Sequence, residues 1–130
     1  MQTSILITLF LTSLATASTI PHESRATGNA TTSALFGTCT PTMDFQLGRT
    51  GRKATEGTFL PTDPNVAKGQ GDALNPNIIT NAICNNLINN CGLTKDSAGE
   101  TKCLAAKAVV AALTTKDATT AAAFNSALGL

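Results

Sequence analysis

Four cysteines, Cys39, Cys84, Cys91 and Cys103, constrain this chain more than any other feature. Whether they pair depends on the compartment they reach, and the amino terminus speaks to that. Ile5-Leu6-Ile7-Thr8-Leu9-Phe10-Leu11 is a short apolar run ending in Ala15-Thr16-Ala17, the small-x-small pattern that signal peptidase cuts. The run is too short to span a bilayer, and no stop-transfer segment follows it. Its only positive charge is the amino terminus itself. Residues 1–17 are therefore expected to be a signal peptide, with the secreted chain starting at or near Ser18. In an oxidising, extracellular location the four cysteines are expected to form two disulfides.

Composition narrows the function classes. All Lys, Arg, Asp and Glu lie after residue 17, and the formal net charge is +1. That is no footprint for nucleic acid and no polybasic membrane tether. The charged fraction is only 13%, so Thr, Asn, Ser and Ala must make up much of the surface. There is no Trp and no Tyr, which weakens sugar-binding and single-strand-binding readings that rest on exposed aromatic faces.

Residues 18–34 hold almost no apolar side chains and many Ser and Thr, too little to bury for independent folding. They read as a disordered tail, O-glycosylated or a short pro-segment. Asn29-Ala30-Thr31 within it is the chain's one N-glycosylation sequon, so Asn29 is a candidate acceptor. Residues 35–130 are expected to form one small domain. Met43, Phe45 and Leu47 alternate with polar neighbours, the period of a half-buried strand. A turn, Gly48-Arg49-Thr50-Gly51-Arg52-Lys53, leads into residues 54–60, a second strand with Thr55, Thr58 and Phe59, closed by Pro61 and Pro64. Residues 66–74 read as a connection.

The second half reads as helical. Asn75 suits an N-cap and Pro76 the first helical position. Ile79, Ile83, Leu87 and Cys91 recur every four residues, and Gly92 supplies a left-handed stop. Seven asparagines between positions 75 and 90 are poor helix formers, so this helix must depend on packing. A second helix starts at Thr94 or at Ser97, where Ser97-Ala98-Gly99-Glu100 has capping-box spacing. It is expected to run through Leu104, Ala108, Val110 and Ala111 to about Leu113. A third starts at Asp117, buries Phe124 and Leu128, and stops at Gly129. The fold class expected is α+β, a β-hairpin packed against a three-helix C-terminal half with two disulfides.

Cys84 and Cys91 fall on one helix, about 10.5 Å apart along its axis at 1.5 Å per residue, and cannot bond to each other. Two pairings remain. A second helix starting near Lys95 centres the turn near Leu93 and favours Cys84–Cys103 with Cys39–Cys91. A later start at Ser97 helps Cys39–Cys84 with Cys91–Cys103. The cysteine spacings lack the close ligand pair of a structural zinc site, and no metal or other cofactor is expected.

Catalytic candidates are sparse. His22 is the only histidine and lies in the tail, so a His-dependent hydrolase or nuclease has no base on the domain. Asp44, Glu56, Asp63, Asp72, Asp96, Glu100 and Asp117 could in principle supply an acid pair for glycoside cleavage, but Asp72 and Asp117 sit where turns or caps want them, and no aromatic residue beyond Phe is available to stack a sugar. No catalytic residue is expected. Arg49, Arg52 and Lys53 form the only local charge bias, a candidate contact for an anionic surface; otherwise they are a solvated hairpin tip that discourages edge-to-edge pairing. Asn81, Asn85 and Asn89, with Asn86 and Asn90 beside them, line one helix face. They are either glycan-binding amides or simply a solvated surface.

The stretch Lys68-Gly69-Gln70, then Leu74-Asn75-Pro76-Asn77-Ile78-Ile79-Thr80-Asn81, followed by Cys84, Cys91-Gly92 and Cys103, resembles the small secreted proteins of filamentous fungi. So does the Cys-Thr-Pro-Thr-Met-x-Phe opening at residues 39–45. The resemblance implies an extracellular location and effector-like contact with a host or the environment, and it carries over no catalytic residue. The function expected is a secreted, non-enzymatic interaction protein whose partner is an extracellular protein or glycan. The alternative is a protein bound to fungal cell-wall polysaccharide. No nucleic-acid partner and no membrane span are expected.

Overall fold

A computed structural model describes residues 34–130. The expected signal peptide, the tail up to its last residue, Ala34, and with it His22 and Asn29 lie outside these residues. Two strands and three helices follow in chain order: β1 (Met43–Leu47), β2 (Gly57–Pro61), α1 (Pro76–Asn90), α2 (Ala98–Ala111) and α3 (Ala118–Leu128). The expected α+β class, a hairpin against three helices, is what the chain forms.

β1 and β2 pair antiparallel, with Met43 opposite Pro61, Phe45 opposite Phe59 and Leu47 opposite Gly57. The second strand begins at Gly57, so Thr55 belongs to the turn, and Pro61 is its last residue rather than a stop beyond it. The expected alternation of burial is not kept in β1; burial instead fades along it. Met43 is buried, Phe45 half-buried, and Leu47, expected to be half-buried, is 61% exposed. The cause lies across the sheet. Gly57 has no side chain, and the Phe45 ring occupies that space, so closely that a Cβ on Gly57 would meet Phe45 Cζ at 2.0 Å. The Phe45 and Phe59 rings meet at 5.0 Å in a tilted pair. Nothing is left to cover Leu47. The segment expected to be a mere connection adds to the sheet: Phe59 and Ala73 exchange both backbone hydrogen bonds, at 2.8 and 3.0 Å.

α1 forms as its sequence suggests. The Asn75 side chain accepts from the Asn77 amide at 2.9 Å, and Pro76 sits where no donor is needed. Ile79, Ile83 and Leu87 are fully buried. Gly92 takes φ +82°, and the Leu93 amide reaches back to the Leu87 carbonyl at 3.1 Å. α2 is capped by Ser97, whose hydroxyl accepts from the Glu100 amide at 3.3 Å, while the Glu100 carboxylate accepts from the Asp96 amide. α3 has a reciprocal capping box: Asp117 accepts from the Thr119 amide at 2.9 Å, and the Asp117 amide donates to Thr120 Oγ1 at 3.3 Å.

The buried face of α2 is narrow. Gly99, Cys103, Ala106 and Val110 face inward, whereas Leu104, Ala108 and Ala111 face solvent, and the helix ends at Ala111 rather than near Leu113. The bridge explains the phase. Cys103 bonds Cys84, so it must point at α1, and Leu104 lies about 100° round the helix from it. The second bridge joins Cys39 to Cys91. The favoured pairing is thus the one formed, although α2 starts at the later position that seemed to favour the other. The chain ahead of β1 is held in the same place. Phe36 is fully buried, the Thr38 amide donates to Cys91 O, and Gly99 lacks a side chain where the Leu35 carbonyl passes.

Two amide latches close the core. Asn125 on α3 donates to Met43 O at 2.9 Å and accepts from Met43 N at 3.0 Å, so one side chain takes the role of a neighbouring strand. On α1, Asn86 donates to Val66 O at 2.7 Å and Lys68 O at 3.1 Å, and Asn90 donates to Asn65 O. These bonds press fully buried Val66 into the core. Replacing Asn125 with Ala strands two backbone groups in a part-buried site, an expected loss of about 1–3 kcal/mol. Chemical denaturation of N125A beside N125D checks this; N125D keeps the acceptor for Met43 N but sets a carboxylate oxygen against Met43 O, and should lose at least as much as N125A near neutral pH.

Candidate functional site

The basic turn is built by two successive bends: Arg52 N donates to Arg49 O, and Glu56 N to Lys53 O, at 2.8 and 2.9 Å. Gly48 N closes it onto Glu56 O at 2.9 Å. Its cations are not alike. Arg49 pairs with Asp44, and its Nε donates to Thr58 Oγ1 at 3.1 Å. Arg52 donates to Asp72 Oδ2 at 2.9 Å and to Asp72 O at 3.2 Å, with Glu56 at 3.6 Å. The Asp72 carboxyl is held below its ordinary value by the Thr58 hydroxyl first and by Arg52 next, against the opposing pull of burial. Asp44, Arg49, Thr58, Asp72, Arg52 and Glu56 therefore form one continuous polar chain across the outer face of the hairpin. Both arginines are neutralised within it. Lys53 alone of the three is exposed. What looks in the sequence like a basic patch is a brace tying the turn to residue 72.

The asparagine face of α1 divides differently. Asn75 caps, and Asn86 and Asn90 hold residues 65–68. Asn81 accepts from Lys107 Nζ on α2. Asn85 and Asn89 are exposed and make no side-chain hydrogen bond among the described residues. Three of the five face residues, Asn81, Asn86 and Asn90, thus do structural work that only their contacts reveal.

The remaining surface of note is the outer face of α2. Leu104 is 46% and Val109 42% exposed, and Ala105, Ala108, Ala111 and Ala112 are exposed beside them. Among the described residues there is no pocket, no group of three His, Cys, Asp or Glu that would hold a metal, and no helix long and apolar enough to cross a membrane. Comparison with family models, with curated proteins and with solved structures finds no match to this chain.

Proposed function

We propose that this chain is a secreted, non-enzymatic interaction protein, effector-like in meeting a host or environmental partner outside the producing cell, and that the exposed amides of α1 form its contact surface. The observation that carries this reading is the pair Asn85 and Asn89. Asn lowers helix stability by roughly 0.6 kcal/mol relative to Ala in a helix interior. Asn75, Asn86 and Asn90 repay that loss by capping or latching, and Asn81 by accepting from Lys107; Asn85 and Asn89, like Asn77 in the first turn, do not. Side chains that weaken the helix bearing them, on a face that needs no polar specificity for folding, are explained by something outside the fold. Two disulfides suit an oxidising, extracellular setting and keep the helix in place despite its composition.

A polysaccharide partner, in the fungal wall or elsewhere, is the second reading. Side-chain amides offer both donors and an acceptor to sugar hydroxyls. The absence of Trp and Tyr tells against it, because stacking would be left to phenylalanines, of which Phe36, Phe59 and Phe124 are buried.

The test joins stability to binding. N85A/N89A should be more stable than wild type, by about 1 kcal/mol in urea denaturation. The same variant should lose capture of extracellular proteins or glycans in pull-downs and on a glycan array. A variant that is stabilised and binds as well as wild type refutes the amide surface. Hydrolysis of glycan, peptide or RNA that survives purification and disappears with an Asp or Glu substitution refutes the non-enzymatic reading.

A further inference from the structure

Asn29 is the one acceptor of the Asn-x-Ser/Thr kind, but Asn89-Asn90-Cys91 is its cysteine counterpart. In such a sequon the side chain two residues on assists the acceptor amide while the sugar is attached. A thiol is a weak donor and a weak acceptor, so it can stand in for the hydroxyl at lower efficiency. Asn81, Asn85, Asn86 and Asn90 are followed at that spacing by Ile83, Leu87, Ile88 and Gly92, none of which can do so.

The fold leaves room for a glycan at this position. Asn89 is exposed, makes no side-chain hydrogen bond among the described residues, and lies outside the buried stripe of Ile79, Ile83 and Leu87. Its neighbour Asn90 donates to Asn65 O, so a substituent there would break a latch; one on Asn89 breaks nothing. In the folded chain Cys91 has no thiol to offer, because it is bonded to Cys39 and only 2% exposed. Modification therefore belongs to the chain before it folds. α1 provides that interval. It is rich in poor helix formers and depends on packing against α2, which follows it in the chain and is joined to it through Cys103. Cys39, by contrast, precedes Cys91 by 52 residues and is already present when Cys91 arrives. The Cys91 thiol thus has two fates. Free, it completes the acceptor; bonded, it abolishes it.

We infer that Asn89 is an N-glycosylation acceptor whose use competes with closure of the Cys39–Cys91 bridge. Asn89 Nδ2 attacks C1 of a polyisoprenyl-pyrophosphate-linked oligosaccharide. The N–C1 bond forms, the C1–O bond breaks, the lipid pyrophosphate leaves with the bonding pair, and the amide gives up one proton to the transferase. The Cys91 thiol is not consumed, so a glycosylated chain still closes its bridge. The secreted protein is then a mixture, with one fraction carrying a sugar where the other presents a bare amide beside Asn85. The inference rests on the secretory reading and not on the amide contact surface.

Expression of the full chain in a eukaryotic secretory host tests it. Enzymatic deglycosylation in heavy-oxygen water turns each occupied Asn into labelled Asp, which peptide mapping locates. Occupancy is set before folding, so it is read on cell-retained and secreted chains together, and a variant that misfolds still reports. Wild type should be occupied at Asn89 in a minor fraction of chains. C39S, which keeps the thiol free, should raise that fraction severalfold, and C91T, which restores a hydroxyl, should raise it further. C91A and N89Q should abolish it. A wild-type protein bare at Asn89 overturns the inference, as does occupancy that survives C91A. Equal occupancy in wild type and C39S overturns the competition with the bridge. If no variant, C91T included, is cleaved near Ser18 or reaches the medium, the secretory reading falls and the inference with it.

Discussion

Removing the Cys39–Cys91 bridge by double serine substitution should destabilise the domain by about 4 kcal/mol, and removing Cys84–Cys103 by about 3 kcal/mol. The order follows from loop closure, since the bridges join residues 52 and 19 positions apart. Urea denaturation of both double variants against wild type measures the two values. A larger loss for the shorter loop would mean that packing between α1 and α2 outweighs chain entropy. Single substitutions sharpen the picture. C103S should loosen the α1–α2 pair at about 2–5 kcal/mol and leave Cys84 as the free thiol. Because Cys84 is only 4% exposed, that thiol should react with a polar reagent chiefly after unfolding. Peptide mapping of the unreduced protein checks the connectivity directly.

Truncating Phe124 to alanine should be as damaging, at about 3–5 kcal/mol. The ring is fully buried on α3, the helix that packs on α2 and also carries the Asn125 latch to β1. A domain of this size has only about 5–15 kcal/mol in hand, so F124A should melt far below wild type or fail to accumulate. Phe45, half-buried over Gly57, gives the contrast: F45A should lose clearly less, because its ring already meets water. Thermal melts of the two variants under one set of conditions separate them. Equal losses would show that the hairpin, rather than the α2–α3 layer, holds the core.

The parts of the fold that could be read ahead are those whose signals are local. α1 has Asn75-Pro76 at its start, Gly92 at its end, and three large aliphatics against a polar background, so both limits and phase were evident. α3 has Asp117, Phe124 and Gly129 and was as clear. α2 was not. Its residues AGETKCLAAKAVVA are apolar on nearly every side, so periodicity offers no phase; only Cys103 fixes it, and only once its partner is known. The disulfide pairing was reached from a helix start three residues too early, which shows how loosely turn length constrains which residues face each other. The latches were invisible for another reason. Asn86, Asn90 and Asn125 bond backbone atoms 18 to 82 positions away, and nothing in a sequence marks a bonded amide from a solvated one. The basic turn was misleading in the same way: Asp44 and Asp72, which neutralise its arginines, come from outside it.

The positions of the two bridges also determine how the domain bears mechanical load. Tension applied at the amino-terminal side of Cys39 does not run along the chain. It crosses the sulfurs to Cys91, runs back through the last turns of α1 to Cys84 and crosses the second bridge to Cys103, which leaves residues 40–83, with the hairpin and the latched loop, off the force-bearing path. Roughly 150 Å of extended chain is thereby withheld, at about 3.4 Å per residue over residues 39–84. Stretched between its ends, the oxidised protein loads residues 84–91 and the chain beyond Cys103, while the hairpin and the first turns of α1 stay unloaded.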